Sequence, residues 1–227
     1  MVDQLLYYTN ILSKGLPITL SLSFAAIITS CIIAIGITIL LTAKNKLILY
    51  ITKSYIIIFT GTPFLVQLFL IYYGTAQFLS GLQQWSVLWN TVSSPWFCSF
   101  IALSLNSTAY TTQLFYGTLN ALPQGLWQAC AALGINRSQA LKIMIPYALK
   151  RALSSYSNEV IFIVKSTALA STITLMDIMG YNQFLNGEYY DFSIFVVTGA
   201  IYLLINGFLS LLMNMIERKA LQFESSQ

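Results

Sequence analysis

Apolar residues gather in five long stretches, at about 16–42, 50–73, 96–118, 155–175 and 192–214, with more polar segments between them. A hydrocarbon core about 30 Å thick takes roughly 20 helical residues to cross, so each stretch is long enough to span it as a helix. The pattern predicts an all-α integral membrane protein with five transmembrane helices, a single transmembrane domain over residues 1–227 and no sizeable soluble domain. Between the second and third stretches lies a polar break that runs from Gly74 through Gln83 and Gln84 to Pro95. Its Trp85 and Trp89, with Trp96 just beyond, suit a membrane–water interface, and the break reads as an extracytoplasmic loop. The apolar run after Lys14 is too long for the h-region of a signal peptide and reads as a retained first helix.

Composition sharpens this picture. The chain is 57% hydrophobic and only 8% charged, where a soluble domain carries charge on about 25% of its residues. No Asp, Glu, Lys or Arg stands between Lys53 and Arg137, a gap that holds two spans. Basic residues also orient the chain, because loops kept in the cytoplasm carry an excess of Lys and Arg. Lys44, Lys46 and Lys53 flank the first connection, Arg137, Lys142, Lys150 and Arg151 occupy the third, and Arg218 and Lys219 follow the last span. The expected topology is therefore N-terminus out and C-terminus in, with Asp3, Lys14, Asp177, Glu188 and Asp191 on the outer side.

The third connection, about 119–152, is alanine-rich and helical in propensity. Pro123 and Gly125 open a short helix with an apolar stripe of Leu126, Trp127, Cys130 and Leu133, and Gly134 closes it. A second helix is expected from Arg137 to Ile145, ended near Pro146. The pair either lies on the membrane surface or docks into a partner. In the docking case the small Ala129, Ala131 and Ala132 would enter a groove, with Trp127 and Leu133 as apolar anchors.

That loop resembles the cytoplasmic loop of the membrane subunits of binding-protein-dependent ABC importers, which carries Glu-Ala-Ala, several residues, then Gly. Here the pattern reads Gln128-Ala129-Cys130 followed by Gly134. FTGTPFLVQLFLIYYG (59–74) is similar to the Arg-Gly-Thr-Pro segment of the polar amino-acid importers, with Thr60 in place of arginine. ALSLNSTAYTTQLFYG (102–117) is similar to their third-helix motif, with Gln113 and Tyr116 where many members carry charge. SYSNEVIFIVKSTALASTITLMDIMGY (155–181) matches closely too, and these segments with the C-terminal IERKAL look most like the arginine-uptake permeases. The resemblance implies a type 1 ABC importer permease fold in the cell inner membrane. It also implies a related second permease in a heterodimer, two cytoplasmic ATP-binding subunits docked on Trp127 to Arg137 and Pro146, and a periplasmic amino-acid-binding protein. Gly74–Pro95 and Gly180–Asp191 would form part of the landing surface for that protein.

Ionisable and amide side chains inside the spans are the candidates for a substrate path, because each is costly to insert in hydrocarbon. Glu159 is either a counter-charge for a cationic amino acid or one half of a structural ion pair. Lys165 could hold a substrate carboxylate, neutralise Glu159 or pair with a second subunit; six residues apart, the two sit about 120° from each other around a helix. Asn106 could bond a substrate or another helix. Gly61 and Pro63 would break or kink the second span.

No histidine and no motif-spaced cysteine are present, so no metal or cofactor site is expected. A phosphate-binding G-x-x-x-x-G-K-[ST] loop is missing as well, and ATP hydrolysis would have to come from a partner. The expected partners are thus the bilayer, other subunits and an amino acid, with no nucleic acid. An ion-gradient-driven carrier is the competing class. It leaves the alanine-rich loop unexplained.

Overall fold

The computed structural model describes residues 2–78 and 80–221, and all its regular elements there are helical. In chain order they are α1 (Val2–Ser13), α2 (Leu16–Leu41), α3 (Lys46–Gly61), α4 (Phe64–Phe78), α5 (Ser86–Val92), α6 (Pro95–Asn120), α7 (Gln124–Ala132), α8 (Arg137–Ser166), α9 (Ile178–Tyr189) and α10 (Ser193–Leu221). Tighter 3-10 turns cover Ser80–Gln84 and Thr167–Ile173.

The bundle is built around α6, which starts where Ser94 accepts the Phe97 N–H beside Pro95 at the first helical position. Most of its circumference is buried, including Ala102, Leu103, Asn106, Ser107, Thr108 and Ala109. Such a helix can be rich in Ser, Thr and Asn because protein, not lipid, surrounds it. Against it α2 lays a stripe of small residues, Ser23, Ala26, Ser30, Ala34 and Thr38, spaced three or four apart on one face. Small side chains let the two backbones approach closely, and the hydroxyls of Ser23 and Thr38 donate to Thr19 O and Ala34 O of their own helix, both at 2.7 Å. The opposite face of α2 carries exposed Leu20, Phe24, Ile28 and Ile32. Exposed Leu203, Leu204, Phe208 and Leu211 do the same on α10.

Two helices, α2 and α10, are by themselves long and apolar enough to cross a membrane. Two bent pairs are long and apolar enough together, each as a broken span or a re-entrant loop: α3 with α4, at 106°, and α8 with its 3-10 extension and α9, at 49°. The second apolar stretch is therefore two helices about a sharp bend. The fourth gives up α-helical form at Ser166, tightens to 3-10 through Ile173, and turns at Thr174 in the left-handed region (φ 67°).

Pro146 does not end a helix. It lies inside α8, which runs unbroken from Arg137 to Ser166. Proline removes one N–H bond and crowds the carbonyl four residues back, here that of Lys142. Both residues are on the exposed side of α8, where that carbonyl can meet water, while Ala140, Met144, Ala148 and Ala152 pack inward and hold the helix together. The polar break after Gly74 is likewise not a loop: α4 continues to Phe78 and α5 follows.

At the end of the bundle formed by α1, α9 and α10, Tyr8 and Leu12 pack on Leu185 and Ile194. The Tyr8 hydroxyl donates to Asp191 Oδ2 (3.0 Å), and Asp191 Oδ1 accepts the Ser193 N–H (2.9 Å). The segment Gly180–Asp191 is mostly helix α9. Asp177 is fully buried at its start: Oδ1 accepts the Gly180 N–H (2.8 Å), and the Tyr202 hydroxyl donates to Oδ2 (3.4 Å). The backbone of Asp177 presses on Gly15, where any Cβ would collide.

Candidate functional site

The break between α3 and α4 follows from Gly61-Thr62-Pro63. Proline cannot extend α3, and glycine gives the chain freedom just before it. Opening the helix frees backbone carbonyls, and these are met by side chains. Gln67 Nε2 donates to Phe59 O (2.8 Å), Thr62 O (3.0 Å) and Thr62 Oγ1 (2.7 Å). From α6, Asn106 Nδ2 donates to Phe59 O (3.2 Å) and to Gln67 Oε1 (3.0 Å). The Tyr110 hydroxyl donates to Thr60 O (3.2 Å), and in return Tyr55 of α3 donates to Leu105 O (2.6 Å). Gln67 and Asn106 are both buried, so the amide of Asn106 serves the bend instead of an open cavity. The residues Gly61, Thr62 and Pro63 themselves are exposed.

Exposed positions on the C-terminal half of α8 have a distinctive character. Ser155, Asn158, Phe162 and Lys165 recur at steps of three and four, which puts them on one face, and exposed Leu169 follows in the 3-10 turn. The rings of Tyr110 and Phe162 stand 6.5 Å apart and join this face to that of α6, where Gln113 is also exposed. Thus one side of the chain shows a polar stripe with a lysine, while the outer sides of α2 and α10 are apolar. A Ser, Asn and Lys stripe at membrane depth is disfavoured against lipid tails, and faces water or another subunit.

Glu159 sits half-buried about 60° from Phe162 around the helix, at the edge of the stripe. Its Oε1 is enclosed and makes no hydrogen bond of good geometry among the described residues, the Ser107 hydroxyl of α6 being the neighbour placed to interact with Glu159. The hydroxyls of Ser104, Ser107, Thr108 and Thr111, gathered on one side of α6, are buried and unpaired in the same way. Glu159 and Lys165, both in α8 and six residues apart, lie about 120° from each other around the helix.

At the other end of α6, the helix α7 closes as the Gly134 pattern predicts. Gly134 adopts φ 72°, its N–H donates to Ala131 O and the Ile135 N–H donates to Cys130 O, both at 3.0 Å. These two bonds make a Schellman motif, with Ile135 and Cys130 in one apolar cluster. Asn136 and Gln139 then form a reciprocal capping box that starts α8. Trp127 does not project outward as an anchor: it is half-buried with Leu126 and Cys130 against Ala140 and Met144. The outer face of α7 consists of Gln128, Ala129, Ala131 and Ala132, and Leu133 beyond it is 78% exposed. Arg137 is exposed at the first turn of α8.

Three of these features lay outside the sequence reading. Gln67 was signalled by an amide in an apolar run, four residues after Pro63. The α8 stripe was visible as polar residues at helical spacing. Tyr110 carried no such signal, because tyrosine is ordinary at interfaces.

Comparison with known proteins agrees with this arrangement. A model of the family described as "binding-protein-dependent transport system inner membrane component" matches residues 26–222. The arginine ABC transporter permease protein ArtM of Escherichia coli K12 is 54% identical over 217 residues, 96% of this chain and 97% of that one. The ArtM of Haemophilus influenzae is 51% identical over 221 residues, 96% of this chain and 95% of that one. Among solved structures, an amino acid ABC transporter crystallised with histidines shares the fold with a TM-score of 0.83 at 28% identity, covering 95% of this chain and 97% of that one. The chain is therefore a multi-pass inner-membrane protein with the type 1 ABC importer permease architecture, and it belongs to the family of binding-protein-dependent transport system inner membrane components.

Proposed function

We propose that the chain is one of two related permeases that together line a path for arginine, and for related basic or polar amino acids, across the inner membrane. The observation that carries this is the polar stripe of α8, Ser155, Asn158 and Lys165, on a chain whose α2 and α10 are apolar outside. A second permease facing that stripe would enclose it, with the exposed bend at Gly61–Pro63 and Tyr110 on the same wall. Glu159, whose enclosed Oε1 makes no hydrogen bond of good geometry, would give a guanidinium its counter-charge. The relatives named as arginine permeases support that choice of substrate.

Five crossings fit this reading: α2 and α10 singly, the two bent pairs, and the buried α6. The N-terminus would face outward and the C-terminus inward, as the basic residues require. Residues 119–152 would then dock one ATP-binding subunit of a pair through the outer face of α7, with the second copy on the partner permease. A periplasmic binding protein would deliver the amino acid at the opposite end, near Glu188 and α5. ATP binding closes the ATPase pair, α7 moves with it, and the path opens outward. Family membership leaves an ion-driven carrier without support.

Uptake of labelled arginine, with lysine, histidine and glutamine as competitors, tests the proposal in cells lacking the chain and with it restored. Arginine uptake should return with the chain and stop when ATP is depleted. Uptake indifferent to the deletion would remove arginine as substrate; uptake that follows the ion gradient would overturn ATP coupling.

A further inference from the structure

Between α7 and the start of α8 lies a hollow of about 460 Å³, walled by Asn120, Gln124, Trp127, Cys130, Ile135 and Arg137. It opens at the cytoplasmic tip of the chain, beside the uncharged outer face of α7. Arg137 is the one charge on its rim. Between Asp3 and Glu159 the sequence contains no acidic residue at all, so neither α7, α6 nor the first half of α8 can neutralise this guanidinium. Glu159 lies 22 positions further along the same helix, about 33 Å away at 1.5 Å per residue.

We infer that the ATP-binding subunit meets this docking surface with an acidic side chain, seated in the hollow against Arg137. The inference rests on the docking role proposed above and adds the chemistry of the partner. An arginine drawn into an interface loses water, and without an opposite charge that loss is costly. A carboxylate is the group that recovers it, because it can accept two parallel N–H bonds from a guanidinium. The amides of Asn120 and Gln124 on the same rim can donate to its remaining lone pairs. Anionic lipid is the less suited occupant: Arg137 precedes the membrane stripe at Ser155 by 18 positions, about 27 Å of helix. Lys142, about 140° around α8 from Arg137, faces a different surface.

The test is the affinity of the cognate ATP-binding subunit, purified and titrated onto the purified permease complex in neutral detergent, at several salt concentrations. Arg137→Gln should weaken association by about tenfold or more, and Arg137→Glu further. Arg137→Lys should keep part of the affinity. The wild-type affinity should fall with salt and that of Arg137→Gln less steeply. Unchanged binding by Arg137→Glu would overturn the inference and indicate a basic or neutral groove. An effect of Arg137 that appears only in vesicles containing phosphatidylglycerol would overturn it in favour of lipid. If Gly134→Val and Leu133→Asp leave association untouched as well, the docking role itself fails.

Discussion

Opening a helix at Gly61, Thr62 and Pro63 frees carbonyls that hydrocarbon cannot satisfy, and Gln67 answers those of Phe59 and Thr62. Replacing it by leucine strands the Thr62 carbonyl and leaves Phe59 to Asn106 alone. Gln67→Leu is expected to destabilise the permease by about 1–3 kcal/mol, read as a lower thermal unfolding midpoint in detergent. Asn106→Leu should cost less, because Gln67 still reaches Phe59; the reverse order would refute this assignment. At the far corner, Asp191 is held below the usual carboxylate range, first by the Ser193 backbone N–H, then by the Ser193 hydroxyl and Tyr8. A carboxyl depressed by folding stabilises above its unfolded value, about 4, and that contribution is lost as pH falls through the lower folded value. Hydrogen exchange in α1, corrected for its intrinsic pH dependence, should therefore be flat from pH 8 to 5 and accelerate in stronger acid. Asp191→Asn should abolish that acid response.

Elements differ in how openly the sequence announced them. Length and hydropathy decide α2 and α10, whereas α6, with its Ser, Thr and Asn, depends on the protein that surrounds it. The α3–α4 break was legible in Gly61 and Pro63, but its 106° angle depends on Gln67, Asn106 and Tyr110, which no local pattern connects. Pro146 misled because a proline rule describes one bond, while the inward alanines and Met144 of α8 outweigh it. Both α1 and α9 escaped notice: each has 12 residues of mixed polarity, and packing through Tyr8, Leu12 and Leu185 fixes them. Of the candidate sites, the Gly134 turn was readable from glycine alone, whereas the inward position of Trp127 required α8. Gly134→Val meets no steric obstacle but must adopt φ 72°. The strain is about 1–2 kcal/mol, and association of the ATP-binding subunit should fall more than thermal stability does. Pro146→Ala restores the bond to Lys142, so the unfolding midpoint should stay level or rise; a fall would show that the proline shapes α8 in a way its neighbours need.

For the whole molecule, the division between apolar and polar sides ties the fold to its surroundings. Single cysteines placed by Glu188→Cys and Arg218→Cys, in a chain with Cys31, Cys98 and Cys130 replaced, test the orientation. An impermeant maleimide added to spheroplasts should label the first and reach the second only after permeabilisation; the opposite pattern would invert the topology. The bend between α3 and α4 also bears on how the chain is made. Its two amides come from separate helices, and α6 lies more than thirty residues downstream of Pro63. While the nascent chain emerges, α3 and α4 therefore lack Asn106 and Tyr110. The α3–α4 pair is made before its bend can be completed, and the final angle waits for the arrival of α6.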